Sequence, residues 1–171
     1  MATAVAPTDA MIAIRPARDD DAGGIRAVHE AAFGQPAESR LVDMLTAGGH
    51  VTLSLVADLG VAIVGHVLLS RLDSPLGALA LAPLAVLPSH QRLGIGSTLV
   101  ETAINLARKR GATAIFVLGD PAYYGRFGFS AETARPFSSP YAGEHFMVLM
   151  LTDPPMAPAP VVYAPPFAAL G

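Results

Sequence analysis

The segment from residue 86 to residue 97 constrains this chain more than any other part of its sequence. It leads from an apolar run that ends at Val86 into a run with helical periodicity that begins near Ser97. Two glycines, Gly94 and Gly96, stand just before that helix and carry no side chain where the backbone would face a ligand. Unpaired amides at a helix N-terminus and the helix dipole both favour negative charge. We therefore predict an anion site here, with a pyrophosphate as its expected ligand.

Two common phosphate-binding loops do not fit this segment. A P-loop requires a lysine after its last glycine, whereas Gly96 is followed directly by Ser97 and Thr98. A dinucleotide-binding Rossmann loop requires a third glycine at position 99, which is Leu99, and a tight turn after the strand. Residues 87–93 are too many for such a turn. A different pyrophosphate cofactor is therefore expected.

The composition indicates a single domain without metal or disulfide chemistry. A chain of 171 residues is long enough to bury a sizeable core. Its formal net charge of -3 argues against nucleic acid or an anionic membrane as the main partner. The sequence has no cysteine, which excludes disulfides and fits a reducing cytoplasm. Its histidines form no metal-binding pattern, and His66 is expected to be a hydrogen-bonded core or wall residue.

Neither a signal peptide nor a membrane helix is predicted. Residues 1–10 contain no basic residue and no leucine-rich core. The longest uncharged stretch, between Asp73 and His90, is interrupted by three prolines. We therefore expect a cytoplasmic protein that does not bind membranes.

Apolar periodicity and turn residues predict alternating strands and helices. Strands are expected over residues 12–14, 51–55, 62–70, 78–87 and 114–118, near Phe129, and over residues 145–152. Helices are expected over residues 19–33, 37–47, 97–110 and 121–126. This order predicts an α/β fold with a mixed sheet.

The last part of the chain differs in composition from the rest. Residues 153–171 hold six of the fifteen prolines and no charged residue after Asp153. We predict a domain over residues 11–152 followed by a proline-rich tail without regular structure. Val162, Tyr163 and Phe167 are expected to pack this tail across the domain.

A second motif gives the sequence a family resemblance. The spacing Gln91-x-x-Gly94-x-Gly96 resembles the acetyl-CoA signature of the GNAT superfamily of N-acetyltransferases. After the fifth predicted strand, Tyr124-x-x-x-Gly128-Phe129 also resembles a GNAT segment. The two motifs together resemble the YhbS-type subgroup of predicted acetyltransferases, over residues 12–167. This resemblance implies a mixed, mostly antiparallel sheet, flanked by helices, with splayed fourth and fifth strands.

The resemblance also implies the residues that hold acetyl-CoA. The fourth strand would offer main-chain groups to the pantetheine arm, as an added β-strand does. The glycine loop would hold the pyrophosphate through its amides, and Arg92 could add a charge-assisted contact. The implied cofactor-binding residues are Leu84, Ala85, Val86, Gln91, Arg92, Leu93, Gly94, Ile95, Gly96 and Ser97.

Tyr124 is the implied catalytic residue, because the family places a tyrosine here beside the cofactor sulfur. A phenol is protonated at neutral pH and can donate its proton to a leaving thiolate. The alternative is that its ring only packs beneath the cofactor. Many GNAT enzymes carry a glutamate on the fourth strand as general base, but no acid lies between Gly77 and Pro88. The remaining candidate bases are Glu38, Asp120, Glu144 and His145, and a water chain is a further option. Glu38 has the position of a solvated helix residue, and Asp120 before Pro121 is typical of a helix cap.

These features favour an N-acetyltransferase that moves an acetyl group from acetyl-CoA to an amine of a small molecule or protein. A non-catalytic acyl-CoA sensor and a longer-chain acyltransferase are the alternatives. The resemblance places the acceptor pocket at about residues 29–40 and 132–146, whose mixed charges fix no preference. The sequence does not decide the oligomeric state, and a homodimer is one candidate because dimers are frequent in the superfamily.

Overall fold

The computed structural model describes residues 12–170. The segment considered for a signal peptide, residues 1–10, lies outside this range. This range contains six strands, five α-helices, three short 3-10 turns and a 3-10 helix at its C-terminal end. The strands are β1 (Ala13–Pro16), β2 (Val51–Asp58), β3 (Ile63–Arg71), β4 (Ala78–Val86), β5 (Ala114–Leu118) and β6 (Phe146–Met150). The helices are α1 (Ala22–Phe33), α2 (Ala37–Ala47), α3 (Ile95–Lys109), α4 (Pro121–Tyr124) and α5 (Ala131–Ala134).

The strands form one mixed sheet in sequence order, from β1 to β6. Neighbouring strands are antiparallel except for β4 and β5, which are parallel. The parallel pair follows from the connection, because α3 crosses over between these two strands. The predicted mixed, mostly antiparallel sheet is therefore confirmed.

The fourth and fifth strands separate toward their C-terminal ends. They pair only between residues 78–81 of β4 and residues 114–117 of β5. The rest of β4, as far as Val86, keeps its antiparallel pairing with β3 alone. The predicted splay is therefore present, and it leaves one edge of residues 84–86 without a strand partner.

Two apolar clusters cover the two faces of the sheet. One packs α1 and α2 against the sheet around Phe116 and Phe146. The other packs α3 against the opposite face, with Leu99, Val100 and Ala103 fully buried. The apolar stripe predicted for α3 is the reason that this helix covers the sheet.

The structure corrects two predictions near the end of the chain. Near Phe129 there is no strand, only a single bridge between Ser130 and Val148. The Ser130 hydroxyl instead accepts a hydrogen bond from the Thr133 amide at 3.1 Å and caps α5, which the sequence analysis missed. The tail also has regular structure, because a 3-10 helix spans Pro165–Leu170.

The tail packs into the α1–α2 face, although not through all the predicted residues. Phe167 is buried in that core, and Tyr163 packs against it. Val162 is 46% exposed, and its neighbour Val161 is the buried residue. The reason is the bridge between Ser74 and Val162, which pairs the Val162 backbone with the sheet domain and turns its side chain outward.

A buried histidine pair connects α1 to β3. His29 Nε2 lies 2.8 Å from His66 Nδ1, and His66 Nε2 lies 2.8 Å from Ser54 Oγ. Both rings are fully buried, so the core position predicted for His66 is confirmed. Burial lowers the pKa of His29 to about 4 and, together with the charge of His29, that of His66 to about 3.

We expect this pair to make the fold sensitive to acid. The unfolded chain takes up protons on both histidines below about pH 6.5, whereas the folded protein does so only near pH 4 and below. Stability is therefore lost as the pH falls from about 6.5, by about 2 kcal/mol for each histidine at pH 5. Urea unfolding at pH 7.5 and pH 5.0 measures the loss.

The Asp21 carboxylate does not contribute to the loss of stability between pH 7.5 and pH 5.0. Arg15 binds Asp21 at 2.8 Å and lowers the pKa of that carboxyl to about 2, so its contribution is lost only below pH 4. An unfolding free energy that is the same at pH 7.5 and pH 5.0 would contradict the histidine assignment.

Candidate active site

The glycine loop ends in a helix whose first amides are free. Gly94 has a φ of 84° and stands at the N-cap of α3, a conformation that favours glycine. The Thr98 amide donates to the Gly94 carbonyl at 3.0 Å, as an N-terminal hydrogen bond of the helix. The amides of Ile95, Gly96 and Ser97 precede it and have no acceptor within the helix. An anion is favoured at this end of α3.

The helix end opens into a cleft of about 510 Å³, which we call the glycine-loop cleft. Eight of the ten predicted cofactor-binding residues line it. Leu93 is 50% exposed outside the lining, and the Ile95 side chain is buried in the α3 core. The cleft is lined by Ala32, Phe33, Leu84, Ala85, Val86, His90, Gln91, Arg92, Gly94, Gly96, Ser97, Tyr123 and Arg126.

Gln91 and Arg92 contribute to this cleft in different ways. The Gln91 side-chain amide donates to the Val86 carbonyl at 3.0 Å, which braces the loop against the end of β4. Arg92 has a φ of 65°, the only left-handed residue other than glycine in the described chain. Arg92 is also a lining residue, and its positive charge makes the cleft more favourable for anions.

Arg126 is a second cation in the cleft, and the sequence analysis missed it. Its Nη2 donates to Ser97 Oγ at 3.0 Å, and its guanidinium lies 4.6 Å from the ring centre of Tyr123. These contacts fix the charge beside the first turn of α3. The signal lay inside the Tyr124–Phe129 motif, but only the fold brings that segment next to Ser97.

Tyr123 lies close to the glycine loop. A Cβ atom added to Gly96 would lie 2.8 Å from the Tyr123 hydroxyl and 3.6 Å from Val86 Cγ2. Gly96 therefore allows both the close approach of a ligand to the backbone and the packing of this tyrosine. Tyr123 is a wall residue of the cleft.

Tyr124 ends the helix that follows β5 and does not line the glycine-loop cleft. Its ring packs on Gly119, where an added Cβ would lie 2.5 Å from the ring, and against Phe129 with 5.8 Å between ring centres. Burial and the neighbouring Tyr123 raise the pKa of the Tyr124 phenol well above its usual value. The hydroxyl therefore stays protonated at neutral pH and can act as a proton donor.

A second cavity of about 420 Å³, which we call the tail cavity, lies beside Tyr124. It shares Phe33 and Leu84 with the glycine-loop cleft, so the two spaces border the same part of the splay. Elements from both ends of the chain build it. It is lined by Phe33, Glu38, Leu41, Ala80, Leu81, Ala82, Pro83, Leu84, Phe116, Leu118, Gly119, Tyr124, Tyr141, Tyr163, Phe167 and Leu170.

Only one of the four candidate bases lines the tail cavity. Glu38 lines this cavity and is half-buried. Its sequence position had instead suggested a solvated helix residue. Asp120 caps α4 by accepting from the Ala122 amide at 3.0 Å, as predicted for a cap. Glu144 and His145 form an exposed pair 3.5 Å apart, and Glu144 faces a separate cavity with Arg135.

The described part of the chain offers neither a metal site nor a membrane helix. Within residues 12–170, no three or more histidine, aspartate or glutamate side chains are grouped so that they could hold a metal ion. No helix in this range is long and apolar enough to cross a bilayer.

Comparison with known proteins decides the family. The model of the acetyltransferase (GNAT) family matches residues 24–129, a span that contains the glycine loop and ends at Phe129. This chain belongs to the GNAT family. The resemblance inferred from the two motifs is therefore confirmed.

Two relatives match this GNAT chain over most of their own length. The uncharacterized N-acetyltransferase YjhQ of Escherichia coli K12 is 39% identical over 150 residues, which cover 80% of this chain and 82% of YjhQ. The uncharacterized N-acetyltransferase YhbS of the same strain is 38% identical over 140 residues, which cover 78% of this chain and 83% of YhbS.

Two solved GNAT structures resemble this chain closely. Escherichia coli YhbS in complex with CoA superposes with a TM-score of 0.88 at 31% identity, covering 94% of each chain. A GNAT acetyltransferase from Brucella melitensis in complex with acetyl-CoA has a TM-score of 0.79 at 35% identity, covering 91% of this chain and 97% of that one. Both comparisons confirm the fold class predicted from the sequence.

Proposed function

We propose that this GNAT protein is an acetyl-CoA-dependent N-acetyltransferase that acts on a primary amine of a small molecule or protein. The observation that carries the proposal is the splay between β4 and β5. It joins a cleft with free helix amides to a second cavity through Phe33 and Leu84. The bound CoA and acetyl-CoA of the two solved relatives support the choice of cofactor.

In this proposal the glycine loop holds the pyrophosphate of acetyl-CoA. The amides of residues 95–97 face the anion, and Arg92 and Arg126 add positive charge. The unpaired edge of residues 84–86 binds the pantetheine arm as an added strand. The thioester then lies in the splay, where a free strand amide can polarise its carbonyl.

The proposed reaction is a direct attack. The neutral amine forms a bond to the acetyl carbon, and the carbonyl electron pair moves onto oxygen. Collapse of this intermediate breaks the carbon–sulfur bond and releases the CoA thiolate. The attacking nitrogen loses its proton to water, and Tyr124 donates a proton to the thiolate. Solvent then returns a proton to the tyrosine.

Amine-dependent release of free CoA tests this function. We expect acetyl-CoA to be consumed in the presence of an accepted amine and to stay intact in its absence, as followed by a thiol reagent. The sensor alternative has the opposite signature: acetyl-CoA binds with measurable affinity, but no amine in a broad panel releases CoA.

The lack of an acid on β4 predicts a particular pH dependence. Without a carboxylate there to accept the proton, the neutral fraction of the amine limits the rate. We expect kcat/KM to rise with pH toward the pKa of the acceptor, about 10 for a lysine-like amine. The measurement is a pH–rate profile between pH 6 and pH 10.

The variant Glu144→Gln provides the control for that profile. Its carboxylate is exposed and faces a separate cavity, so we expect a rate within about twofold of the parent. A plateau in the parent profile near neutral pH, abolished together with the activity in Glu144→Gln, would identify Glu144 as the base.

A further inference from the structure

The lining of the tail cavity contains one formal charge. Glu38 supplies it from α2, and no arginine, lysine or histidine is among the lining residues. Arg40 is exposed elsewhere, and Arg135 faces a different cavity. A ligand in the tail cavity therefore meets a single carboxylate, and it finds no cation to pair with a carboxylate of its own.

The rest of the lining is mainly apolar and rich in aromatic rings, three of which are tyrosines. Tyr163 lies between Tyr141 and Phe167, with 5.0 Å between ring centres on each side. Phe116 and Phe33 contribute further aromatic surface. Aromatic faces bind both apolar groups and ammonium ions, and rings pair favourably with other rings.

The tail cavity lies next to the splay between β4 and β5. It borders the splay through Leu84 and is lined by Tyr124, whereas Arg92 and Arg126 line only the glycine-loop cleft. A group bound here can reach the thioester of the proposed function without entering the space assigned to the cofactor pyrophosphate.

We infer that the tail cavity binds the acetyl acceptor, and that this acceptor is a primary monoamine with an apolar, preferably aromatic, body and no carboxylate. This inference rests on the proposed function. Glu38 attracts and positions the ammonium group, which loses a proton to water before the neutral amine attacks. The rings of the tail cover the body. A second ammonium or a carboxylate on the acceptor would lose its hydration without gaining a partner.

Matched ligands test the inference without turnover. Calorimetry on the protein saturated with CoA, which carries no acetyl group, would compare four ligands. Phenethylamine has the proposed chemistry, phenylalanine adds a carboxylate, putrescine replaces the ring by a second ammonium, and 2-phenylethanol lacks the charge. We expect phenethylamine to bind at least about tenfold more tightly than phenylalanine or putrescine.

Two variants separate the charge from the apolar wall. Glu38→Gln should weaken phenethylamine about fivefold and leave 2-phenylethanol unchanged, because only the amine uses the carboxylate. Leu170→Ala removes half-exposed apolar surface at the rim and should weaken both ligands alike, by about threefold. Glu132→Gln, an exposed acid outside the cavity, should change neither.

Each contrary outcome has a distinct meaning. Equal binding of phenylalanine or putrescine, no binding of any amine, or unchanged amine affinity in Glu38→Gln would overturn the acceptor class. Tighter binding of octanoyl-CoA than acetyl-CoA, with loss of amine binding in the octanoyl-CoA complex, would overturn it in favour of an acyl-chain cavity. Binding of phenethylamine as expected, but without CoA release from acetyl-CoA by any amine, would reject the proposed function and the acceptor role, and would leave only the ligand class of the cavity.

Discussion

Replacement of Tyr124 by phenylalanine is expected to lower turnover about 100-fold while leaving acetyl-CoA affinity nearly unchanged. The thiolate charge forms fully only as the thioester breaks, so a proton donor acts on the transition state more than on the bound cofactor. Burial raises the pKa of this phenol and keeps it protonated. A thiolate is a good leaving group, which favours the lower end of the usual range for general-acid catalysis.

Tyr123→Phe is the matched control for this variant. Tyr123 is the adjacent residue and also carries a phenol, but it lies in the glycine-loop cleft and not beside the tail cavity. We expect its turnover to stay within about threefold of the parent. Steady-state turnover and a direct binding constant should be measured for both variants. If Tyr124→Phe also stays within about threefold, Tyr124 is a packing residue and the proton has another source.

The second large effect is expected at Gly96. A valine there would place a branched side chain where the backbone amide faces the pyrophosphate, and we expect acetyl-CoA binding to weaken at least about tenfold, or ~1.4 kcal/mol. Gly96 lies inside α3 with ordinary helical geometry, so the domain should stay folded. Calorimetry gives the affinity, and circular dichroism checks the fold.

The contact with Tyr123 requires a second background for this test. Because an added Cβ would lie 2.8 Å from the Tyr123 hydroxyl, Gly96→Val could act by displacing that side chain. In Tyr123→Phe the hydroxyl is gone, and the nearest ring atom of residue 123 lies 3.9 Å away. We expect the loss of affinity to persist in the double variant. Recovery of parent affinity there would assign the effect to Tyr123 and contradict the pyrophosphate loop.

The sequence predicted those parts of the fold that depend on local patterns. The helix over residues 37–47 and the strand over residues 114–118 were predicted with the bounds that the structure has. The Asp120 cap and the glycine loop also follow from short-range rules about helix ends. Periodicity and capping act over a few residues, so one sequence is enough to predict them.

The features that the sequence missed depend on contacts between distant segments. Glu38 appeared to be a solvated helix residue, because nothing near it in sequence indicates that Tyr163 and Phe167 enclose the same cavity. The short strand predicted near Phe129 gave way to a helix that the Ser130 hydroxyl caps. Arg126, in the 3-10 turn Gly125–Phe127, lies beside Ser97 only in the folded chain, because 29 residues separate the two in sequence.

A single-turnover experiment tests the central claim of acetyl transfer across the splay most directly. Protein in excess over isotopically labelled acetyl-CoA would be mixed with phenethylamine and a broader amine panel, and products followed by mass spectrometry. We predict one labelled N-acetyl amine for each CoA released, with no acetyl group left on the protein. Retention of intact acetyl-CoA with every amine, despite saturated binding in the glycine-loop cleft, would contradict the account and favour a sensor.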